Sequence, residues 1–284
     1  MAYDSITVAP LAGALGAEIG GVDLAKAHQD NRVWGEIHRA FLAHQVIVFR
    51  DQQLSLDDLL AVGRRFGEPT DYPFVQGIEG YPQIFEIVKE PDERQNFGGN
   101  WHSDTTYQPR PPLATLLHAL ETPEAGGDTL FANQYLAYET LSEGMRRLLD
   151  GLTGIYNGSL KHQGGLARLH GKTANMALQN LQEAASYEAA HPAVRTHPDT
   201  GRKALYVSRT HTARFQDMSE AECQPLIDFL QGHATRLEFT CRVGWRPGTL
   251  TVWDNRCVQH FAINDYHGQR RRMRRLSVGP QVPA

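Results

Sequence analysis

The segment Asn100-Trp101-His102-Ser103-Asp104 combines residue types that could do chemistry at a usable spacing. If it is extended, successive side chains point to opposite faces, so His102 and Asp104 project together while Ser103 points away. One imidazole and one carboxylate on a shared face supply two ligands of a nitrogen–oxygen metal site. An H-x-D pair alone is common by chance, so a third ligand has to come from elsewhere. His260 lies in Trp253-Asp254-Asn255-Arg256-Cys257-Val258-Gln259-His260-Phe261, just after a strongly β-like run. Two histidines and one carboxylate on one side of a metal, with the other positions open, form the facial triad used by non-haem iron(II). Zinc accepts the same ligands.

A second feature discriminates between these metals. Residues 270–275 hold five arginines in six positions, interrupted by Met273. A solvated basic edge or a nucleic-acid patch would explain such a cluster. Strand alternation refines this reading: Arg271, Met273 and Arg275 share one face, and Arg270, Arg272 and Arg274 share the other. A buried arginine needs an anion, because an unpaired interior charge is very costly. Arg271 and Arg275 turned inward near a metal therefore imply one or two small carboxylate-like ligands, which a guanidinium fork grips bidentately. Gly126-Gly127-Asp128-Thr129 precedes a strand. A turn explains its glycines, and Thr129 could add a hydroxyl donor to the same anion.

The elements that must position these residues are mostly strands. Strands are expected at Ile6–Val8, Ala17–Val22, Val46–Phe49, Pro82–Val88, Leu113–Leu120 and Thr129–Ala132, and again at Ala193–Thr196, Ala204–Val207, Leu237–Val243, Thr249–Trp253 and Arg271–Val278. Helices are expected at Asn31–His44, capped by Asp30 or Asn31, and from Ser55, whose pairing with Asp58 resembles a capping box, to Phe66. Two more are expected at Leu136–Leu152 and Glu220–Gly232. Polar Asn157–Ala190 reads as a long insertion of the kind that forms lids. Many strands without βαβ alternation point to a mainly β fold with helical decoration, not to a Rossmann sheet. No G-x-G-x-x-G opens a helix, and there is no Walker loop and no G-x-S-x-G.

Composition bounds the rest. The chain has 284 residues, 41% hydrophobic and 21% charged, with a formal net charge of −4. That is ordinary globular composition, expected as a single domain over residues 1–284 with the probable lid insertion at 157–190. The slight acidity argues against nucleic acid or an anionic membrane as partner. No apolar run approaches the roughly 20 residues that span a bilayer, and no secretory signal is evident. The three cysteines Cys223, Cys241 and Cys257 are odd in number and widely spaced, so reduced thiols and a cytoplasmic location are expected.

Taken together, the motifs resemble the taurine dioxygenase family, the iron(II)/2-oxoglutarate-dependent oxygenases that include aryloxyalkanoate dioxygenases. The resemblance runs over nearly the whole chain. It includes Gly16-Ala17-Glu18-Ile19 with Gly21-Val22-Asp23-Leu24, Arg65-Phe66-Gly67-Glu68, Trp101-His102-Ser103-Asp104 and Gly126-Gly127-Asp128-Thr129. It continues through His197-Pro198 with Gly201-Arg202, Trp253-Asp254-Asn255, and His260 followed by Arg271 and Arg275. The order and spacing of these motifs carry the match, not any one of them.

That resemblance implies a double-stranded β-helix, or jelly roll, with helices packed outside. It makes His102, Asp104 and His260 the ligands of Fe(II). It makes Arg271, helped by Thr129, the partner of the distal carboxylate of 2-oxoglutarate, and Arg275 the partner of an anionic group on the substrate. Asp104 also sets the chain apart from the halogenating subgroup, which lacks that carboxylate. With O2 as the second co-substrate, the implied reaction hydroxylates a C–H bond and releases succinate and carbon dioxide. Two departures bear on the substrate. Pro69-Thr70-Asp71-Tyr72 lacks the sulfonate-binding histidine of taurine dioxygenase, and Gly98 stands where that enzyme has asparagine. A larger or less polar anion than taurine is implied, an alkyl sulfonate, sulfate ester or aryloxyalkanoate, with Tyr72 and Gly98 as pocket lining or as plain loop residues. The expected partner is thus a small anionic organic molecule, and a homo-oligomer is compatible with the sequence. The rival readings are a non-catalytic metal- or anion-binding jelly roll acting as a sensor, a zinc hydrolase, and a nucleic-acid binder.

Overall fold

The computed structural model describes residues 3–27, 30–158 and 176–284. Its strands, in chain order, are β1 (Thr7–Pro10), β2 (Ala17–Gly20), β3 (Val46–Phe49), β4 (Pro69–Thr70), β5 (Ile84–Lys89), β6 (Pro112–Glu121), β7 (Thr129–Asn133) and β8 (Thr153–Asn157). They continue as β9 (Glu188–Pro192), β10 (Val194–Thr196), β11 (Lys203–Leu205), β12 (Thr212–Phe215), β13 (Thr240–Val243), β14 (Leu250–Asp254), β15 (Val258–Ala262) and β16 (Arg271–Pro280). Helices are α1 (Leu24–Ala27), α2 (Asn31–His44), α3 (Leu56–Arg64), α4 (Gln134–Glu139), α5 (Glu143–Leu149) and α6 (Glu220–Ala234).

The main sheet runs β1-β2-β3-β14-β6-β16-β4, with β5 also paired to β16; a smaller sheet runs β13-β7-β15. Apart from β2 beside β3, the pairings within both sheets are antiparallel. The alternation of side chains divides the apolar residues of the main sheet between two cores. Val46, Val48, Leu117, Ala119, Phe85 and Met273 meet Phe131, Cys241, Val243 and Val258 of the smaller sheet. Ile47, Phe49, Ala114, Leu116, Val252, Leu276 and Val278 point the other way and pack on α2 and α3 through Trp34, Ile37, Phe41, Leu59 and Val62. This is the mainly β jelly roll with external helices that the sequence implies.

Local signals explain the helices. Asp30 caps α2, accepting from the N–H groups of Arg32 and Val33, and Ser55 and Asp58 form a complete capping box on α3. The expected single helix Leu136–Leu152 is instead two, because Ser142 caps a second start at Glu143. Within the expected insertion, 159–175 lies outside the described residues. Its last part carries β9, which pairs with β8, so strand structure resumes at Glu188, before the expected Ala193.

Candidate active site

The expected metal ligands arrive from two directions. His260 sits in the middle of β15. His102 is joined to it by a bridge in which His102 N donates to His260 O (3.1 Å) and His260 N donates to His102 O (2.8 Å). This pairing sets the imidazoles side by side, with ring centroids 4.2 Å apart. Beyond His102 the chain turns, and Thr105 takes a left-handed φ of 43°. The segment is therefore extended only as far as the turn that opens at Asp104. The Nε2 atoms of His102 and His260 lie 3.6 and 3.7 Å from Asp104 Oδ1, and each of the three residues offers a donor atom within 4.8 Å of the others.

Protonation suits these groups to a cation. The Nδ1 of His102 lies 2.7 Å from the carbonyl oxygen of Asn100. A carbonyl only accepts, so Nδ1 carries a proton, and Nε2 is the nitrogen turned toward Asp104. Burial, reinforced by the neighbouring His102, holds the His260 imidazole well below its usual pKa, hence neutral. Burial would raise Asp104, but the Arg275 guanidinium beside it outweighs this and keeps the carboxyl ionised well below the usual range. Two imidazoles and a carboxylate converge on one point. This is the hard-to-intermediate donor set expected of ferrous iron.

The two inward arginines follow the expected alternation along β16. Arg271 and Arg275 are 5% and 3% exposed. The outward ones are already paired: Arg270 with Glu90 and Glu121, and Arg272 with Glu86. Among the described residues, Nε and one terminal nitrogen of Arg271 find no acceptor, and its guanidinium lies 5.5 Å from the Trp245 ring centroid. Trp245 Nε1 donates to Thr129 Oγ1 at 3.0 Å, which orients that hydroxyl. A buried guanidinium with idle donors beside an oriented hydroxyl is a cradle for a carboxylate. Arg275 Nη2 lies 2.5 Å from Asp104 Oδ1 as a buried ion pair, and its Nε finds no acceptor among the described residues.

Arg271, Arg275, Thr129, His260, Gly98 and Phe97 line one cleft, with about 360 Å³ of atom-free space. Gly98 has a φ of +81°, and a Cβ there would stand 3.6 Å from Cε1 of His102. Its carbonyl accepts from Ala262 N at the end of β15. Tyr72 stacks on Phe85 and lies under the Arg275 guanidinium, 5.7 Å from it. The structure thus brings together all eight residues singled out from the sequence.

Sequence reasoning did not single out Thr115 and Asn255, whose side chains buttress Asp104. Asn255 belongs to the Trp253-Asp254-Asn255 motif, but a threonine inside a buried strand carries no local signal. A second cluster, His197, Asp254 and Cys257, also places its donor atoms within 4.8 Å of one another. It is committed to the fold. The Nδ1 of His197 accepts from the backbone N–H groups of Asp199 and Thr200, so Nε2 donates to Asp254, which is also forked by Arg256.

Comparison with known proteins agrees with this geometry. Residues 7–277 match the family model described as taurine catabolism dioxygenase TauD, TfdA family. The chain is 36% identical over 287 residues to an alpha-ketoglutarate-dependent sulfate ester dioxygenase of Pseudomonas putida, covering 98% of this chain and 91% of that one. It is 32% identical to the alpha-ketoglutarate-dependent 2,4-dichlorophenoxyacetate dioxygenase of Cupriavidus pinatubonensis, covering 96% and 98%. A crystal structure of a taurine dioxygenase from Burkholderia xenovorans superposes with a TM-score of 0.83 at 32% identity, covering 99% and 91%.

Proposed function

The chain belongs to the taurine catabolism dioxygenase TauD, TfdA family, a family of iron(II)- and 2-oxoglutarate-dependent oxygenases, and we propose that it hydroxylates a C–H bond of a small organic anion at the His102, Asp104 and His260 centre. The anion is of the alkyl sulfonate, sulfate ester or aryloxyalkanoate type. The observation that carries this reading is charge. Two buried guanidinium groups line the cleft, and Arg275 is paired with the buried Asp104, which leaves the charge of Arg271 without a partner of its own. A ferrous ion would raise this to three. A dianionic keto acid and one monoanionic substrate balance it.

In this reading Arg271 and Thr129 hold the far carboxylate of 2-oxoglutarate, and Arg275 holds the substrate's anionic group. Bound iron(II) supplies the activation of dioxygen, with conversion of 2-oxoglutarate to succinate and carbon dioxide. The chain's own residues do the rest. His102 and His260 turn their Nε2 atoms toward the centre, and Asp104 presents an ionised oxygen. Tyr72, Phe85 and Phe97 surround Arg275 with apolar ring faces. That wall accommodates a carbon skeleton less polar than an aminoalkane and keeps water from the reacting carbon. If the attacked carbon bears oxygen, nitrogen or sulfur, the hydroxylated product falls apart at that bond. Residues 1–284 are assigned as a single domain. The three cysteines are buried and unpaired, which suits the reducing cytoplasm.

The test is a screen of sulfonates, sulfate esters and aryloxyalkanoates for succinate release that depends on the added compound. The native chain is expected to respond to at least one class, and Asp104→Ala to none. A native chain that binds iron(II) and 2-oxoglutarate but never turns over would favour the sensor reading.

A further inference from the structure

Asp104 has two carboxylate oxygens, and the fold treats them differently. Oδ1 faces both imidazole Nε2 atoms and Arg275. Oδ2 receives a hydrogen bond from Thr115 Oγ1 at 2.7 Å. Thr115 is completely buried on β6, on the inward face of the main sheet. Its hydroxyl has one hydrogen to give, and its surroundings dictate where that hydrogen goes.

Asn255 fixes the direction. Its Oδ1 lies 3.0 Å from Trp253 Nε1 and 3.3 Å from the backbone N of Asp104. Both are obligatory donors: an indole N–H and a peptide N–H can only give. The oxygen of the amide must therefore face them, and Nδ2 must face Thr115, 3.0 Å away. Thr115 Oγ1 accepts that hydrogen bond, leaving its own proton for Asp104 Oδ2. Ser277 Oγ, at 3.3 Å, can donate to the remaining lone pair of Thr115. The chain of donors runs in one direction, from the Trp253 indole through Asn255 and Thr115 to a single oxygen of Asp104.

We propose that Trp253, Asn255 and Thr115 are positioning residues that commit Asp104 Oδ2 to the protein, so that the carboxylate meets its metal through Oδ1 alone. This rests on the reading of His102, Asp104 and His260 as metal ligands. Its consequence is a ligand count. Three single-atom protein ligands leave half of an octahedron free, enough for a chelating keto acid and one further small ligand. A carboxylate free to rotate and bind through both oxygens would consume one of those positions.

The experiment measures Mn(II) binding by the native chain, Thr115→Val and Thr115→Ser, together with the visible absorption of the anaerobic iron(II)–2-oxoglutarate complex. Valine keeps the shape of threonine and removes the hydroxyl; serine keeps the hydroxyl. Loss of a hydrogen bond to a metal-ligating group commonly lowers metal affinity about 10–100-fold. Thr115→Val is expected to lose affinity in that range and to show a displaced band, and Thr115→Ser to recover both. Should Thr115→Val fail to fold, Trp253→Phe removes the indole donor that sets the amide's direction, along with ring area packed on His260; it is expected to weaken binding and displace the band, and native-like binding and band in it would overturn the relay. Native-like affinity and band in folded Thr115→Val would overturn the relay, as would equal impairment in the valine and serine variants, which would mark a packing role. A native chain that binds no Mn(II) would overturn the triad reading itself, a separate result.

Discussion

At the scale of single residues, the site is a set of charges whose partners are only partly supplied by the protein. Arg271 is the clearest case: it is buried beside the Trp245 ring, and two of its nitrogens find no acceptor among the described residues. Arg275 sits four residues on, two pleats along the same face, against the ionised Asp104. The two arginines therefore have different surroundings, Trp245 for Arg271 and Asp104 for Arg275. Arg271→Ala is expected to raise the KM for 2-oxoglutarate at least tenfold with a smaller effect on the primary substrate. Arg275→Ala is expected to do the reverse, since a charge-assisted pair is worth about 1.5–3 kcal/mol. Steady-state kinetics with each co-substrate varied in turn separates the two, and swapped effects would reverse the assignment. Both arginines were legible in the sequence, because alternation along a strand says which of five neighbouring cations face inward. Thr115 was not legible: it is one threonine among many, and its role comes only from β14 lying beside β6.

At the scale of elements, the positioning of β16 is decisive, because both inward arginines ride on it. Its outer face packs against α3, where Gly63 allows close approach. A Cβ at Gly63 would stand 2.4 Å from Cδ2 of the fully buried Leu276. Gly63→Val is expected to destabilise the fold by about 1–3 kcal/mol through overpacking. A lowered urea midpoint would register this, and an unchanged midpoint would mean that the α3–β16 contact adjusts freely. Strands with continuous β-branched and aromatic runs, such as Val46–Phe49, were readable at their true limits. β15 was not, because Val258-Gln259-His260-Phe261-Ala262 mixes polar and apolar residues without a clean period. Its place is set by pairing with β7 and by the His102 bridge, both long-range contacts. The Leu136–Leu152 stripe concealed a helix boundary because Ser142 fits either a helix interior or a cap, and the serine side chain accepting from Met145 N decides it.

At the scale of the whole molecule, two sheets enclose a cleft whose positive interior contrasts with a net charge of −4 for the chain. The outward arginines of β16 are neutralised by glutamates of β5 and β6, or by those at their ends. The basic cluster that could have suggested nucleic acid is thus divided between an ion-paired surface and two buried arginines that line the cleft. No helix among the described residues is long and apolar enough to cross a membrane. Cys223, Cys241 and Cys257 are buried, and burial pushes the Cys241 thiol up to about 12, which disfavours its thiolate. A crystal structure of the chain loaded with Mn(II) and 2-oxoglutarate tests the account most directly. The expected result is one ion held by His102 Nε2, His260 Nε2 and Asp104 Oδ1, with the far carboxylate of the keto acid on Arg271 and Thr129. An ion bound away from these three atoms, or a keto acid anchored on Arg275 instead, would contradict it.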